Sequence, residues 1–196
     1  MMSSRDSILK AVKENQPEKA GLPDISVFKT STQGSLSKFA AALNAVGGKI
    51  AYVSDYGEIL HMIKAQYGDH AKVISPMKEL AMLCTENFDL STPVHSLHDV
   101  DVAILKGQFG VAENGAVWIT DKEMVNRALP FITQHLVAII DWEMIVPTMH
   151  DSYELISRTR YGFGTFIAGP SKTADIEQSL VIGAHGPRSM TVYVMG

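Results

Sequence analysis

Apolar residues recur at helical spacing twice before residue 50. In residues 4–15, Ile8, Leu9 and Val12 share a face, with Ser3 or Ser4 available as an N-cap. In residues 34–46, Leu36, Phe39, Ala40, Leu43 and Val46 line one face, and Gly47-Gly48 stops the helix. Pro17, Gly21 and Pro23 mark a linker between the two, so the first helix is expected to pack peripherally or against a partner chain. From Lys49 onward, short apolar runs alternate with helical patterns. Strands are predicted over residues 49–54, 71–75, 100–105, 116–120, 136–140, 165–168 and 190–195, and helical segments over 55–67, 77–84, 121–134 and 148–159. Strands apolar on both faces that alternate with helices imply an α/β fold, an open, mostly parallel sheet flanked by helices. The runs at 100–105 and 116–120 are the exception, because the glycine-bearing turn between them is short enough for an antiparallel hairpin.

Length and composition narrow the function classes. At 196 residues the chain fits one domain with a helical extension, residues 1–24 forming helix and linker and residues 25–196 the α/β domain. A net charge of −4 with no Lys/Arg run argues against nucleic acid as a partner. No run approaches the roughly 18 apolar residues needed to span a bilayer. The start, Met-Met-Ser-Ser-Arg-Asp, lacks the apolar core of a secretion signal, so a cytoplasmic location is expected. The single cysteine, Cys84 in Leu-Ala-Met-Leu-Cys, reads as a buried structural thiol and cannot hold an iron–sulfur cluster alone. His95 and His98, and the pair His150-Asp151, lack further ligands at metal-binding spacing, so no metal is expected. No Gly-x-Ser-x-Gly elbow is present, which disfavours a serine hydrolase.

Three blocks carry the candidate chemistry. The first is Gly107-Gln-Phe-Gly-Val-Ala-Glu-Asn-Gly115, which matches neither a dinucleotide fingerprint nor a phosphate loop. Its Gly110 and Gly115 would let a ligand approach the backbone, Glu113 could act as nucleophile or base, and Asn114 could donate to an oxyanion. The plainer reading is a hairpin in which Asn114-Gly115 supplies positive φ angles and Glu113 is solvated. The second block, Gly169-Pro-Ser-Lys-Thr-Ala-Asp-Ile-Glu177, follows a strand end, where α/β proteins gather ligand groups. Ser171 and Thr173 ahead of a helical turn would point N–H groups at an anion, and Asp175 could orient a histidine. The plainer reading is a capped helix start with two surface acids. In the third block, Gly183-Ala-His-Gly-Pro-Arg188, His185 could serve as acid or base, Gly186 holds the turn, and Arg188 could bind a carboxylate or phosphate. A lone loop histidine is more often structural.

Taken together these blocks resemble the LUD domain, the lactate-utilisation family. Its members show an Ala-Glu-Thr-Gly-like turn, a Gly-Pro-Ser-x-Thr-x-Asp-Ile-Glu block and a Gly-x-His-Gly-Pro block before a final strand. Here these stand at Ala112 to Gly115, Gly169 to Glu177 and Gly183 to Pro187; Ser4 to Ile8 and Val46 to Gly48 also look like that family. The late block is the long and specific one. Asn114 departs from the threonine frequent in the family, and Glu-Asn-Gly also resembles the active-site turn of class I CoA-transferases, whose glutamate forms an acyl-CoA anhydride. The resemblance implies the fold of ribose-phosphate isomerases, glucosamine-phosphate deaminases and CoA-transferases. It further implies a cluster-free lactate-utilisation component that works with iron–sulfur partner subunits in oxidising L-lactate to pyruvate. The chain itself would carry no cofactor and would bind a small carboxylate or phosphate, or stabilise the assembly; homo-oligomerisation stays open. Two other readings remain: an independent acyl- or CoA-transferase or sugar-phosphate isomerase using Glu113, and a non-catalytic scaffold or regulatory subunit. On any catalytic reading Glu113, Asp175 and His185 are the reactive groups. Gly110, Asn114, Gly115, Gly169, Ser171, Thr173, Gly186 and Arg188 then line the ligand.

Overall fold

A computed structural model describes residues 3–18, 20–21, 23–28, 35–85, 92–174, 180–183 and 185–196. Helix α1 (Ser4–Glu14) begins in a capping box, Ser3 accepting from the Asp6 amide while Asp6 accepts from that of Ser3, and none of its residues is buried. Ile8, Leu9 and Val12 stay 61%, 51% and 56% exposed, so its apolar face packs on no described residue. Helix α2 (Leu36–Ala45) is capped by Ser35 and ends before Gly47, whose φ of +87° no β-carbon residue adopts readily. Phe39 and Leu43, one helical turn apart, are wholly buried.

Strand β1 (Lys49–Val53) leads into α3 (Tyr56–Tyr67), capped by Asp55 and carrying buried Ile59 and Ile63. Then follow β2 (Val73–Ile74), a 3-10 segment (Lys78–Leu83) and β3 (Val102–Lys106). With β6 (His135–Asp141) and β11 (Ser189–Met195), these strands form a five-stranded sheet in the order β1-β11-β6-β3-β2, parallel throughout. One face packs on α3 and the 3-10 segment through Ile59, Ile63, Leu80, Val102, Ile104, Val137, Ile139 and Tyr193. The other packs on α2 and a second sheet through Ala103, Leu105, Leu136, Ala138, Ile140, Val192 and Val194. Burial on both faces is why these strands read as continuous apolar runs.

The second sheet is where the sequence reading needs correction. Residues 107–115 are not only a turn: Phe109–Val111 forms strand β4, which pairs antiparallel with β5 (Ala116–Thr120). The expected hairpin is therefore β4–β5, and β3 stays in the parallel sheet. At Gly107 the chain passes from one sheet to the other. Its amide donates to the Ile139 carbonyl at 2.8 Å while the Gln108 amide donates to that of Trp118 at 2.9 Å, and a β-carbon at Gly107 would clash with Val117 and Ile140. Strands β7 (Ile145–Val146) and β8 (Gly164–Ile167) complete the order β7-β4-β5-β8. Helix α6 (Met149–Ser157) covers the outer face, where Ile156 packs with Phe109, Val111 and Trp118.

One helical expectation also changes. The 121–134 stretch is two single turns, α4 (Asp121–Met124) and α5 (Leu129–Ile132). They are separated by Val125 at φ +61° and by Asn126, whose side chain accepts from the Ala128 amide at 3.0 Å. The helical turn expected beyond Thr173 falls on residues 175–179, outside the described residues, and residues 172–174 ahead of it are extended. They form β9 (Lys172–Ala174), which pairs antiparallel with β10 (Leu180–Ile182) as a separate ribbon.

Candidate functional site

The Glu113 turn closes β4 onto β5. Gly115 has φ +70°, and the Asn114 side-chain oxygen accepts from the Ala116 amide at 3.0 Å, so only the glycine takes a positive φ. Glu113 is exposed but engaged: its Oε2 accepts from the Met149 amide at 2.8 Å, the first N–H of α6. A carboxylate there satisfies a helix-end donor and faces the positive end of the helix dipole. Gly110 lies inside β4, where a β-carbon would come within 2.9 Å of Phe39 and 3.0 Å of Ile140.

The β5–β8 pairing continues this arrangement. Val117 stands opposite Ile167, and past that register both strands end on α2. A β-carbon at Gly115 would approach the Leu43 amide nitrogen to 2.5 Å, and one at Gly169, at φ +75°, the Val46 carbonyl to 2.7 Å. The structure thus brings the first and second blocks together on the last turns of α2, with backbone packed against backbone.

The second and third blocks are laced to each other. The Ser171 amide donates to the Pro187 carbonyl at 2.9 Å, the Gly183 amide to the Ser171 carbonyl at 3.1 Å, and the Arg188 amide to the Gln134 carbonyl at 2.8 Å. Gly186 sits where a β-carbon would be 3.0 Å from that of Ser171. His185 and Arg188 are exposed, and Thr173 pairs with Val181 in the ribbon. Asp175 lies outside the described residues. The segment leaves β8 in the second sheet and enters β11 at its first residue. It therefore borders the amino ends of the parallel strands, not the carboxyl ends where such sheets usually gather ligands.

At that amino edge the structure assembles a polar cluster that no motif announces. His135 and Ser189 open adjacent strands β6 and β11 in register, and His135 Nδ1 lies 2.7 Å from Ser189 Oγ. The Tyr67 ring is tilted over the imidazole at a centroid distance of 5.0 Å, and its hydroxyl accepts from Gln66 Nε2 at 3.1 Å. Burial holds the His135 pKa below its ordinary value; the Arg188 guanidinium pushes the same way and Asp101 opposes. The imidazole is therefore neutral near pH 7. Burial likewise raises the Tyr67 phenol, and that of Tyr193 to about 12. The Ser189 hydroxyl also hydrogen-bonds the Tyr67 phenol, and the imidazole presents either a donor or an acceptor at Nε2 according to its tautomer. Arg188 has no ion-pair partner among the described residues. Sequence periodicity alone could not find this cluster, because His135 and Ser189 meet only through strand register.

No group of three or more metal-capable side chains occurs among the described residues. His98 Nδ1 is instead 2.9 Å from the His95 carbonyl, and Asp151 caps α6 through Thr148. Cys84 is half-buried, not fully buried as expected, and burial raises its thiol pKa, with the Ser75 backbone opposing.

The family profile described as the LUD domain matches residues 94–195, the stretch that holds the Glu113 turn and the whole amino-edge cluster except Tyr67 and Gln66. The chain belongs to the LUD domain family. It is 33% identical over 101 residues to the "Lactate utilization protein C" of Oceanobacillus iheyensis, covering 48% of this chain and 43% of that protein. It is 36% identical over 86 residues to the protein of that name from Anoxybacillus flavithermus, covering 43% and 39%. Each match spans less than half of the relative's length. A crystal structure of a DUF162 family protein from Deinococcus radiodurans superposes with a TM-score of 0.65 at 22% identity, over 82% of this chain and 96% of that one. That likeness supports the α/β fold of this LUD domain.

Proposed function

We propose that this LUD domain protein serves lactate utilisation as a cluster-free component of a cytoplasmic iron–sulfur system that oxidises L-lactate to pyruvate. Its own part is to hold a small carboxylate. Residues 25–196 act as the working domain, with residues 1–24 as an extension. The observation that carries the reading is the LUD match over residues 94–195, and the likeness to relatives named for lactate utilisation supports it. With Cys84 as the only cysteine, the chain has no ligand set for a cluster, so partner subunits take the electrons released by the substrate. At the amino edge the Arg188 fork and, in its Nε2–H tautomer, the His135 imidazole supply donors for a carboxylate. Ser171, Gly186 and His185 frame the approach, and Gly169 and Thr173 hold the segment in place. Acyl transfer through Glu113 has less support, because one of its oxygens already accepts from the α6 amide.

Affinity purification of the tagged chain from its host grown on L-lactate tests this reading. Cysteine-rich iron–sulfur subunits should co-purify, and Arg188→Ala should slow growth on L-lactate while leaving growth on glucose unchanged. A chain recovered alone, with normal lactate growth after its deletion, contradicts it.

A further inference from the structure

At the end of the β5–β8 pair away from Gly115 and Gly169, where Thr120 stands opposite Gly164, an open groove of about 580 Å³ lies between α4 and residues 160–162. Lys122, Arg127, Arg160, Tyr161 and Val125 line it, with Asp121 in its wall. The single carboxylate does not balance the cations. Asp121 Oδ2 accepts from Arg127 Nη2 at 3.4 Å and from the Phe163 amide at 3.1 Å. Lys122 and Arg160 have no ion-pair partner among the described residues.

Val125 is the one described non-glycine residue at positive φ, at φ 61° and ψ −52°. The Asn126 amide donates to the Met124 carbonyl across it at 2.7 Å, a γ-turn of the rarer, strained hand. A β-branched residue seldom tolerates that geometry, and such strain clusters where a ligand is held. An aromatic wall stands beside the cations. Tyr161, 41% exposed, meets the Trp118 ring edge-on at 5.4 Å, and the buried Trp118 Nε1 has no hydrogen-bond partner. The Arg127 guanidinium lies 5.2 Å from the centroid of the Phe163 ring.

We infer that this groove binds an organic phosphate carrying a flat ring, of mononucleotide size. Lys122 and Arg160 take the phosphate oxygens, and the exposed face of Tyr161 takes the ring. The volume falls within the roughly 300–1,000 Å³ of small-molecule clefts. A lysine and an arginine lining one groove without ion-pair partners among the described residues suit phosphate, and an exposed phenol in the same lining suits a planar group. The site lies outside the amino edge, so it stands independently of the carboxylate reading.

Trp118 fluorescence in a Trp142→Phe background reports on the groove through its contact with Tyr161. ADP should quench it saturably, inorganic pyrophosphate should bind more weakly, and adenosine should not bind. Lys122→Ala/Arg160→Ala, with unchanged thermal unfolding, should weaken ADP at least about tenfold, and Tyr161→Ala should erase the preference for ADP over pyrophosphate. The inference is overturned by any of three results: no saturation with ADP, equal affinity in the double variant, or pyrophosphate binding as tightly as ADP.

Discussion

At one end of the β5–β8 pair, Gly115 and Gly169 bring two backbones onto the last turns of α2, leaving room for no β-carbon. At the other end, Asp121 and Gly162 flank an open groove of about 580 Å³ in which Lys122 and Arg160 have no ion-pair partner among the described residues. Both ends carry glycines, but only the first belongs to a conspicuous motif. A glycine-rich stretch is thus explained at one end by close packing, and a ligand-sized space opens where the sequence shows nothing unusual. Glycine reports that something approaches the backbone; whether that is a helix or a ligand is decided by what lies opposite.

The sharpest break of this contrast is Gly115→Ala. A β-carbon 2.5 Å from the Leu43 amide, at φ +70°, should cost about 3 kcal/mol or more in urea unfolding. Loss of less than about 1 kcal/mol would mean that the closed end is looser than described. The same substitution at Gly162 meets the Asp121 Oδ2 at 2.6 Å, the tip of a side chain that can turn aside, and should cost about 1 kcal/mol. Glu113→Ala removes the acceptor at the start of α6 and should cost about 1 kcal/mol, seen as earlier hydrogen exchange in Met149 to Asp151.

The amino edge adds a pH dependence. The folded pKa of His135 lies below the ordinary 6.5, so on acidification the unfolded chain takes up this proton first. The stabilisation is complete above pH 6.5 and is lost as pH falls through the folded value. His135→Gln should flatten the decline in thermal stability between pH 7 and 5, an interval set about the ordinary histidine range; an unchanged slope would contradict the buried neutral imidazole. The smallest effect belongs to the open end, where Lys122→Ala should change stability by less than about 0.5 kcal/mol.

The parallel sheet was legible because β3, β6 and β11 are buried on both faces, which leaves an apolar run that few other elements produce. Helices α2 and α3 were legible because their caps and their apolar pairs, Phe39/Leu43 and Ile59/Ile63, agree. Strand β4 was not. Gly107 and Gly110 look like a turn, and only the approach of Val117, Ile140 and Phe39 shows that they admit neighbours into a second sheet. The β9–β10 ribbon was missed because Ser171 and Thr173 suit a helix start as readily as a strand. Of the candidate site, Arg188 was visible as a possible carboxylate or phosphate binder, but His135 was hidden at the head of an apolar strand. Its partner Ser189 lies 54 residues away, and strand register alone joins them.

The claim that the amino edge holds a small carboxylate is tested most directly by NMR of the His135 imidazole during titration with L-lactate. Binding should shift its ring signals saturably and raise its pKa, since an adjacent anion favours the imidazolium, and Arg188→Ala should abolish both changes. An imidazole that ignores L-lactate up to about 10 mM, or responds equally in the Arg188 variant, would contradict the account.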